Sequence, residues 1–358
     1  MNARLQYLCD ASLVKAAVSW LRLSLLLLGL NACRSQQPQW VSLSGATMGT
    51  YYVVKYLNHP HLAPPKTVQQ ALEQRLEHIN DLMSTYRPDS ELSRFNRSRA
   101  VNQLFPLAPE TLLVIREAVR LHQLSEGALD ITLGPLVDLW GFGPPVPLQE
   151  RLPTHQALSQ CRAWIGLDKL GVHPTGISKP IPQLALDLSG IAKGFGVDDL
   201  ADYLASLGIE HYLVTIGGEM RFKGHNPQRQ PWRIAIENPS DPSQAASRLL
   251  TPGEGALATS GDYRNYFEQA GIRYSHTLDP RTGRPITHHL VSATVLHPSC
   301  MTADGLATAF SVLGPEKALA MANQHQIPLL LLVKTPTGFT EHYSTAFQPY
   351  LTLDKGHS

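Results

Sequence analysis

Residues 274–308 read YSHTLDPRTGRPITHHLVSATVLHPSCMTADGLAT, and a turn, a strand and a helix follow one another within them. The Asp-Pro-Arg-Thr-Gly segment is rich in residues that favour turns. The β-branched and apolar run over 291–296 predicts a strand, and the apolar run after it predicts a helix over 305–313. Elsewhere strands and helices mix without a regular strand–helix repeat, which predicts an α+β fold rather than a doubly wound sheet.

The same stretch carries residues suited to metal-assisted chemistry. Asp304 and Thr308 are four residues apart, and residues with this spacing lie on one face of a helix. A carboxylate and a hydroxyl on one face suit a hard cation such as Mg²⁺, and His276 near a metal-bound group suits proton transfer. The alternative is a structural helix start, in which Thr302 is the N-cap and the acid favours the helix dipole. Both interpretations stay open on these residues alone.

A second candidate site is the glycine-rich segment ALDLSGIAKGFG at 185–196. Leucines alternate with other residues over 184–188, which predicts a half-buried strand that enters the turn, and a helix follows. Such a turn exposes backbone N–H groups that bind phosphate, although its spacing matches neither common nucleotide-binding glycine motif. Asp187 and Lys193 add an acceptor and a cation suited to a polar ligand and its phosphate. A tight strand-to-helix connection is the alternative explanation.

Two further residues could contact a flat ring system. Met48 lies in the segment SGATMGT, and Tyr86 lies in MSTYRPDSELSRFN. Aromatic stacking and the soft thioether of methionine favour such contacts. Ordinary core packing is the alternative for each of the two residues.

The composition excludes some classes of function. The chain has 358 residues, a formal net charge of +1, 43% hydrophobic residues and 16% charged residues. These fractions are typical of a globular protein rather than a disordered one, and the length allows one large domain or two ordinary ones. Nucleic-acid binding is not predicted, because electrostatic capture of a phosphate backbone needs a basic face and a balanced charge argues against one.

The N-terminal residues have the pattern of a bacterial lipoprotein signal. Basic residues precede the apolar run LSLLLLGL, and Asn31, Ala32 and Cys33 follow it. The run is shorter than the ~20 apolar residues that span a bilayer, and a cysteine directly after it is what lipidation needs. We therefore predict a signal peptide at 1–32 and a lipidated N-terminus with its tether at 33–44. An ordinary signal peptide cut elsewhere, or an uncleaved anchor, is the alternative.

Two cysteines remain in the mature chain. Cys161 and Cys300 could form one bridge in an oxidising compartment, but the sequence does not show whether they meet. The chain has no C-x-x-C spacing, so a zinc site or a thioredoxin-like redox site is not predicted.

Several segments of the chain match, in order, the motifs of one known family. They are GATMGTYY, MSTYRPDSELSRFN, GALDITLGPLVDLWGFG, ALDLSGIAKGFGVDDLADYL, YLVTIGGEMRFKG, ATSGDYRNYF, YSHTLDPRTGRPI and MTADGLATAFSVLG. Together they cover nearly all of the mature chain and resemble the ApbE-type flavin transferases, the FAD:protein FMN transferases. The resemblance implies one ApbE-like domain over 45–352, in which mixed and antiparallel sheets are flanked by helices and the active site lies between two lobes.

The resemblance also implies an activity and a location. Members of the family split FAD in an Mg²⁺-dependent reaction, transfer FMN to a threonine or serine hydroxyl of an acceptor protein, and release AMP. The usual acceptors are subunits of Na⁺-translocating NADH:quinone reductases and of Rnf-type complexes. The expected location is the periplasmic side of a bacterial membrane, with a lipid anchor at Cys33 and the inner membrane favoured over the outer one.

The family's site residues correspond to particular positions of this chain. The resemblance implies that His276 is the base and that the Mg²⁺ ligands are the Gly190 carbonyl, Asp304 and the Thr308 hydroxyl. The implied FAD contacts are Met48, Tyr86, Ala128, Leu129, Asp130, Asp187, Lys193 and Leu278. If both groups of residues form one pyrophosphate site, the fold has to bring residues 187–193 next to Asp304 and Thr308.

Two other functions remain open from the sequence. One is a periplasmic FAD pyrophosphatase, in which water replaces the acceptor hydroxyl and the products are free FMN and AMP. The other is a non-enzymatic flavin-binding lipoprotein that stores or delivers the cofactor. The pair of Asp304 and Thr308 counts against simple storage, because flavin binding alone needs no metal at the pyrophosphate.

Overall fold

The structure of the protein is a computed structural model. It describes residues 38–144, 152–236, 248–261, 266–269 and 272–351. The predicted signal peptide and the lipidated Cys33 lie outside the described residues, so both stay predictions. Contacts divide the chain into two compact units, Met1–Gln39 with Asn58–Leu62, and Trp40–Leu57 with Ala63–Ser358. The second unit contains the candidate site.

The described helices differ widely in length. They are α1 (Pro65–Met83), α2 (Glu91–Arg97), α3 (Pro109–Leu124), α4 (Gly134–Leu139), α5 (His155–Trp164), α6 (Ala192–Ser206), α7 (Cys300–Leu313) and α8 (Pro315–Gln324). Short 3₁₀ turns occur at Leu167–Lys169 and Thr345–Tyr350. In this part of the chain we find no helix with the length and apolar character to cross a membrane.

The strands of the first half of the chain are β1 (Gln39–Thr47), β2 (Thr50–Asn58), β3 (Phe105–Pro106), β4 (Gly171–His173), β5 (Gly176–Ser178), β6 (Tyr212–Ile216) and β7 (Glu219–Lys223). Those of the second half are β8 (Ile234–Ile236), β9 (Arg248–Leu250), β10 (Gly255–Gly261), β11 (Tyr266–Gln269), β12 (Ile272–Ser275), β13 (Leu278–Asp279), β14 (Arg284–Pro285), β15 (Leu290–His297), β16 (Leu329–Thr335) and β17 (Gly338–Tyr343).

One large sheet organises the fold. Its eight strands follow the order β1-β2-β6-β7-β10-β15-β16-β17, and the smaller sheets are β3-β5-β4, β8-β9, β11-β12 and β13-β14. The strand pairs from β2 to β17 are antiparallel. The fold class is therefore α+β with antiparallel sheets flanked by helices, as predicted.

The central strands of the large sheet are buried on both faces. Ala293 and Val295 of β15 pack into a core shared with α3, α6, α7 and α8. Leu296, the next residue along, packs on the opposite face with Trp232, Phe347 and residues of β8 and β9. Burial on both faces explains why the side chains of β15 are buried from Leu290 to Leu296 rather than at alternate positions, and why this strand carries no acidic residue, lysine or arginine.

Helices α6 and α7 cross very closely on the helix-covered face of the sheet. A Cβ atom placed on Gly194 would lie 2.7 Å from Cβ of Asp304 and would also overlap the Cys300 carbonyl oxygen. Only glycine allows such an approach, because any side chain would push the helices apart. The crossing places the N-terminal turn of α6 against the first two turns of α7.

The predicted strand at 184–188 does not form. Leu184, Leu186 and Leu188 are buried as predicted, but within 184–188 only Ala185 makes an isolated bridge, to Leu133. The side chain of Asn96 forms hydrogen bonds with both backbone groups of Leu186. Its amide N–H donates to the Leu186 carbonyl at 2.8 Å, and its oxygen accepts from the Leu186 N–H at 2.8 Å. A side chain thus replaces the neighbouring strand.

The helix predicted over 305–313 starts earlier than its pattern suggested. Helix α7 begins at Cys300, and Ser299 is its N-cap, since the Ser299 hydroxyl accepts from the Thr302 N–H. The interpretation of Thr302 as the N-cap was therefore wrong; its hydroxyl instead donates to Glu117 at 2.7 Å. The two remaining cysteines, Cys161 and Cys300, are both buried free thiols.

Candidate active site

One large cavity contains the candidate site. Its volume is about 1840 Å³, and it is lined by residues of the β1–β2 turn, the glycine-rich turn, β10, α7 and the segment after β12. The lining includes residues of all three described apolar clusters, and all of it lies within the second unit. Every predicted base, metal ligand and FAD contact lines this cavity: Met48, Tyr86, Ala128, Leu129, Asp130, Asp187, Gly190, Lys193, His276, Leu278, Asp304 and Thr308.

The glycine-rich turn lies directly against helix α7. The Thr308 hydroxyl donates to the Gly190 carbonyl oxygen at 3.2 Å, and the Ser260 hydroxyl lies 3.2 Å from the same Thr308 oxygen. A Cβ atom on Gly190 would lie 3.0 Å from the Thr308 methyl group, so a side chain there would crowd the contact. The two predicted halves of the pyrophosphate site are therefore adjacent in the fold.

Asp304 is buried where α6 and α7 cross. The residue is 1% exposed, and its Oδ2 atom accepts from the Gly194 N–H at 2.9 Å. Its Oδ1 atom lies 3.7 Å from the Lys193 ammonium nitrogen. Burial raises the pKa of Asp304 to about 6, against the opposing effect of the Lys193 charge. One oxygen is thus committed to the backbone, and the other faces the ammonium group in the cavity lining.

Lys193 makes its shortest contact with a residue that the sequence analysis missed. Its Nζ atom lies 2.6 Å from Oε1 of Glu219, and Glu219 is 4% exposed at the start of β7. Burial lowers the pKa of Lys193, but the Asp304 and Glu219 carboxylates outweigh it and hold the pKa above its ordinary value. A single acidic residue at the start of a strand does not by itself indicate a site, so the sequence did not predict a role for Glu219.

A second missed residue, Asp198, fixes the start of α7. Its carboxylate accepts from the Cys300 and Met301 N–H groups, each at 3.0 Å, and from the Ser299 hydroxyl at 2.7 Å. It also pairs with Arg221 at 3.1 Å. Each helix therefore caps the other, since Asp304 of α7 binds the Gly194 N–H of α6. These carboxylates satisfy N–H groups that a helix start leaves without intrahelical partners.

The residues present fit a hard divalent cation. Gly190, Asp304 and Thr308 offer a carbonyl, a carboxylate and a hydroxyl oxygen, the donor types that Mg²⁺ takes. Two buried carboxylates face one ammonium group, which leaves one net negative charge among Lys193, Glu219 and Asp304. Across the described ranges, no three or more histidine, cysteine, aspartate or glutamate side chains group as a metal cage. A cation here would therefore rely on sparse protein ligands, water and substrate phosphates.

The residues predicted to contact the flavin flank the cavity on several elements. Met48 has a positive φ of 48° in the β1–β2 turn, and its methyl carbon would lie 3.1 Å from a Cβ atom on Gly196 of α6. Tyr86 is 63% exposed, and its hydroxyl donates to the Phe142 carbonyl at 3.3 Å. An exposed ring held at one end has its face available for stacking.

The 128–130 segment and Asp187 present a more rigid wall. Ala128, Leu129 and Asp130 are buried, and Oδ1 of Asp130 accepts from the N–H and the hydroxyl of Thr132 at 2.8 and 2.6 Å. Asp187 accepts from the Ser189 N–H at 2.8 Å in the same way. These local bonds hold both carboxylates in fixed positions beside the cavity.

His276 is half-buried in the segment that joins β12 to β13. Its ring packs edge-on against Phe142, with 6.4 Å between the ring centroids. The turn that follows is held by Trp140, whose indole N–H donates to the Gly283 carbonyl at 2.9 Å. Leu278, which follows His276 by two residues, packs in the same apolar cluster as Trp140. The predicted base thus lies on a short, anchored segment of the cavity wall.

Three comparisons with known proteins agree on the family. Residues 48–331 match the family model described as "ApbE family". The chain is 52% identical to an FAD:protein FMN transferase of Vibrio cholerae over 93% of this chain and 99% of that protein. It is 45% identical to one of Haemophilus influenzae over 90% of this chain and 94% of that protein.

Solved structures give the same result. The structure titled "Flavin Transferase ApbE from Vibrio cholerae" superposes with a TM-score of 0.82 and covers 88% of this chain and 100% of that one. The apo form of the Pseudomonas stutzeri flavinyl transferase ApbE gives a TM-score of 0.80 at 38% identity, with 88% and 97% covered. With a family model that spans most of the chain and relatives that match it over nearly their full length, this protein belongs to the ApbE family.

Proposed function

We propose that this protein is an FAD:protein FMN transferase that requires a divalent cation, Mg²⁺. One observation carries the proposal: the Gly190 carbonyl, the Asp304 carboxylate and the Thr308 hydroxyl lie together in the cavity that His276 also lines. These groups offer the oxygen donors and the base that phosphoryl transfer to a hydroxyl needs. The relatives' shared name, FAD:protein FMN transferase, supports the same activity.

The reaction exchanges a phosphoanhydride bond of FAD for a phosphoester bond to the acceptor protein. The hydroxyl oxygen of an acceptor threonine or serine attacks the phosphorus on the FMN side of FAD, and a new P–O bond forms. The bond from this phosphorus to the bridging oxygen breaks, and AMP leaves with that oxygen. The hydroxyl proton passes to a base, which we assign to His276 because its imidazole lines the cavity and histidine is the side chain that most often takes this role.

The residues of the chain hold the two substrates in place for this step. Met48 and Tyr86 contact the flavin ring, and the rigid wall at 128–130 limits how deeply it enters. Lys193 and the turn at Gly190 face the pyrophosphate. The Gly190 carbonyl, Asp304 and the Thr308 hydroxyl would hold Mg²⁺, which would supply charge neutralisation at the phosphate oxygens.

We also propose a location and a class of acceptor. The lipid anchor at Cys33 would hold the enzyme at the periplasmic side of a bacterial membrane, and subunits of Na⁺-translocating NADH:quinone reductase or Rnf-type complexes would be its acceptors. Mass spectrometry of the N-terminal peptide of the membrane-bound enzyme tests the anchor, because Cys33 should be its first residue and should carry acyl chains. An N-terminal peptide that begins elsewhere, or an unmodified Cys33, would contradict the lipid anchor.

One incubation separates transfer from its two alternatives. The purified protein is mixed with FAD, Mg²⁺ and an acceptor peptide, and the products are separated by chromatography with flavin fluorescence detection. Transfer predicts fluorescent flavin on the peptide and one AMP for each flavin attached. Free FMN with AMP and an unlabelled peptide would indicate a pyrophosphatase, and unchanged FAD after long incubation would indicate a flavin-binding protein.

A further inference from the structure

Lys193 lies between two buried carboxylates at unequal distances. Its ammonium nitrogen is 2.6 Å from Oε1 of Glu219 and 3.7 Å from Oδ1 of Asp304. Glu219 and Asp304 are 4% and 1% exposed, whereas the Lys193 side chain is 30% exposed on the cavity wall. The ammonium group therefore forms a close ion pair with Glu219 and only a longer one with Asp304.

The backbone around Glu219 fixes the position of its side chain. Glu219 begins β7 directly after the two-residue loop of Gly217 and Gly218, whose φ angles are 63° and 119°. Two positive φ angles are the conformation of a tight hairpin loop, which sets the register of both strands. Ile216 pairs with Glu219 across this hairpin. The carboxylate is thus held by the sheet and not by a flexible loop.

The unequal distances matter for cation binding at Asp304. The Oδ2 atom of Asp304 already accepts from the Gly194 N–H, so Oδ1 is the oxygen left for a cation. An ammonium group in direct contact with Oδ1 would neutralise the carboxylate and compete with a divalent ion for the same oxygen. Glu219 draws Lys193 toward itself and away from Oδ1.

We propose that Glu219 is a positioning residue that keeps the Lys193 ammonium off Asp304 and so leaves Oδ1 of Asp304 available to the divalent cation. This inference rests on the proposed function, because it assumes that Asp304 is a metal ligand. The second Glu219 oxygen, Oε2, is buried and receives no hydrogen bond from the described residues. A buried carboxylate with one unsatisfied oxygen holds its single ammonium partner strongly, which explains why Lys193 stays with Glu219.

The test is a Mn²⁺ titration of the purified full-length protein, with bound Mn²⁺ measured by electron paramagnetic resonance. Glu219→Gln keeps the shape of the side chain and removes its charge. We expect its dissociation constant for Mn²⁺ to rise about tenfold, which corresponds to the loss of one good charge interaction. The matched control is Glu73→Gln, since Glu73 lines the same cavity but hydrogen-bonds Tyr52 and not Lys193.

The double variant decides whether Glu219 acts by positioning Lys193 or by binding the cation itself. With Lys193→Met added to Glu219→Gln, no ammonium remains to occupy Oδ1, so Mn²⁺ affinity should return to near the wild-type value. Lys193→Met alone should bind Mn²⁺ at least as tightly as wild type, and this measurement stands even if Glu219→Gln folds poorly. A double variant as weak as Glu219→Gln, or weakened binding by Lys193→Met alone, would overturn the inference.

A third variant distinguishes failure of this inference from failure of the proposed function. Asp304→Asn removes the carboxylate that the metal assignment depends on, and it should abolish Mn²⁺ binding in every background. If Asp304→Asn binds Mn²⁺ normally, the metal assignment itself is wrong. If it does not bind and the double variant still fails to recover, only the role of Glu219 is wrong.

Discussion

His276 is the residue that tests the proposed proton transfer. We expect His276→Ala to lower the rate of FMN transfer by about 10²–10⁴-fold, the usual contribution of a general base. The thermal unfolding midpoint should stay close to that of wild type, because the side chain is only half-buried on the cavity wall. The rate is measured as flavin fluorescence on an acceptor peptide under single-turnover conditions.

The control for this variant is a second histidine substitution, His289→Ala. His289 is exposed and lies outside the cavity lining, so its removal should leave the transfer rate unchanged. A transfer rate near wild type for His276→Ala would exclude His276 as the base, whatever the control shows.

Single residues differ in how far the sequence predicts them. The four-residue spacing of Asp304 and Thr308 predicts their shared face directly, and in the structure both line the cavity. Glu219 and Asp198 could not be found in the same way, because their partners Lys193 and Cys300 lie on other elements. Contacts between distant segments have no local pattern, so the charge environment of Asp304 had to come from the structure.

Mutual capping of α6 and α7 makes the two helices one structural element. Asp198→Asn removes the charge that holds the Cys300 and Met301 N–H groups and the Arg221 side chain. We expect the free energy of unfolding to fall by about 2–4 kcal/mol, since hydrogen bonds to charged groups are worth about 1.5–3 kcal/mol each and some bonds survive. Urea denaturation followed by fluorescence measures this change.

Asp202→Asn is the matched control for Asp198→Asn. Asp202 lies one turn further along α6 and also pairs with Arg221 at 2.8 Å, but its side chain is 68% exposed. Because an exposed ion pair is worth about 0–1 kcal/mol, this variant should be nearly neutral. An equal loss of stability in both variants would show that the Arg221 pair matters and the cap of α7 does not.

The close crossing of α6 and α7 gives a second prediction for these helices. Gly194→Ala would place a methyl group 2.7 Å from Cβ of Asp304, and the helices would have to separate. We expect a loss of about 1–3 kcal/mol in unfolding free energy from overpacking and a higher Mg²⁺ concentration for half-maximal transfer. Ala205→Ser, on the exposed face of α6, should change neither quantity. An unchanged Mg²⁺ requirement for Gly194→Ala would show that the crossing does not set the metal site.

Elements with a strong local signal agree with the structure. The predicted strand at 291–296 lies within β15, Leu290–His297. The predicted strand at 184–188 failed because the Asn96 amide, from a distant helix, replaces a strand neighbour. The start of α7 was missed because its N-cap, Ser299, precedes the apolar pattern. The Asp198 carboxylate that accepts from the Cys300 N–H lies on a different helix, α6.

A buried lysine holds the end of α2 against residues 182–184. Lys179 is 2% exposed, and its ammonium nitrogen lies 2.9–3.1 Å from the carbonyl oxygens of Phe95, Asn96, Pro182 and Leu184, which share its three N–H donors. Lys179→Met fills the same space but removes the ammonium group from this cluster of buried carbonyl oxygens. We expect it to lower the unfolding free energy by about 3–5 kcal/mol, as the loss of a buried polar centre does.

The Lys179 prediction is checked by chemical denaturation with Lys55→Met as the control. Lys55 is exposed on β2, where a substitution should change stability by less than about 0.5 kcal/mol. A Lys179→Met protein as stable as the control would contradict the account of the carbonyl cluster.

At the scale of the whole molecule, the fold class was predictable and the strand order was not. Mixed strands and helices without a regular repeat indicated α+β, and the structure confirms it. The order of the large sheet pairs β2 with β6 and β10 with β15, which are far apart in sequence. Such pairings depend on how helices pack on one face of the sheet and how β8 and β9 pack on the other, which periodicity within one segment does not encode.

We propose that the cavity at the crossing of α6 and α7 transfers FMN from FAD to an acceptor hydroxyl and that Asp304 is required for this transfer. The most direct measurement is intact mass spectrometry of one acceptor protein after reaction with FAD and Mg²⁺, with wild type and Asp304→Asn compared side by side. We predict that wild type adds the mass of FMN less one water, and that Asp304→Asn reduces this product by about 10³-fold, the scale of a lost metal or oxyanion contact. An acceptor without added mass, or equal product from the variant, would contradict the account.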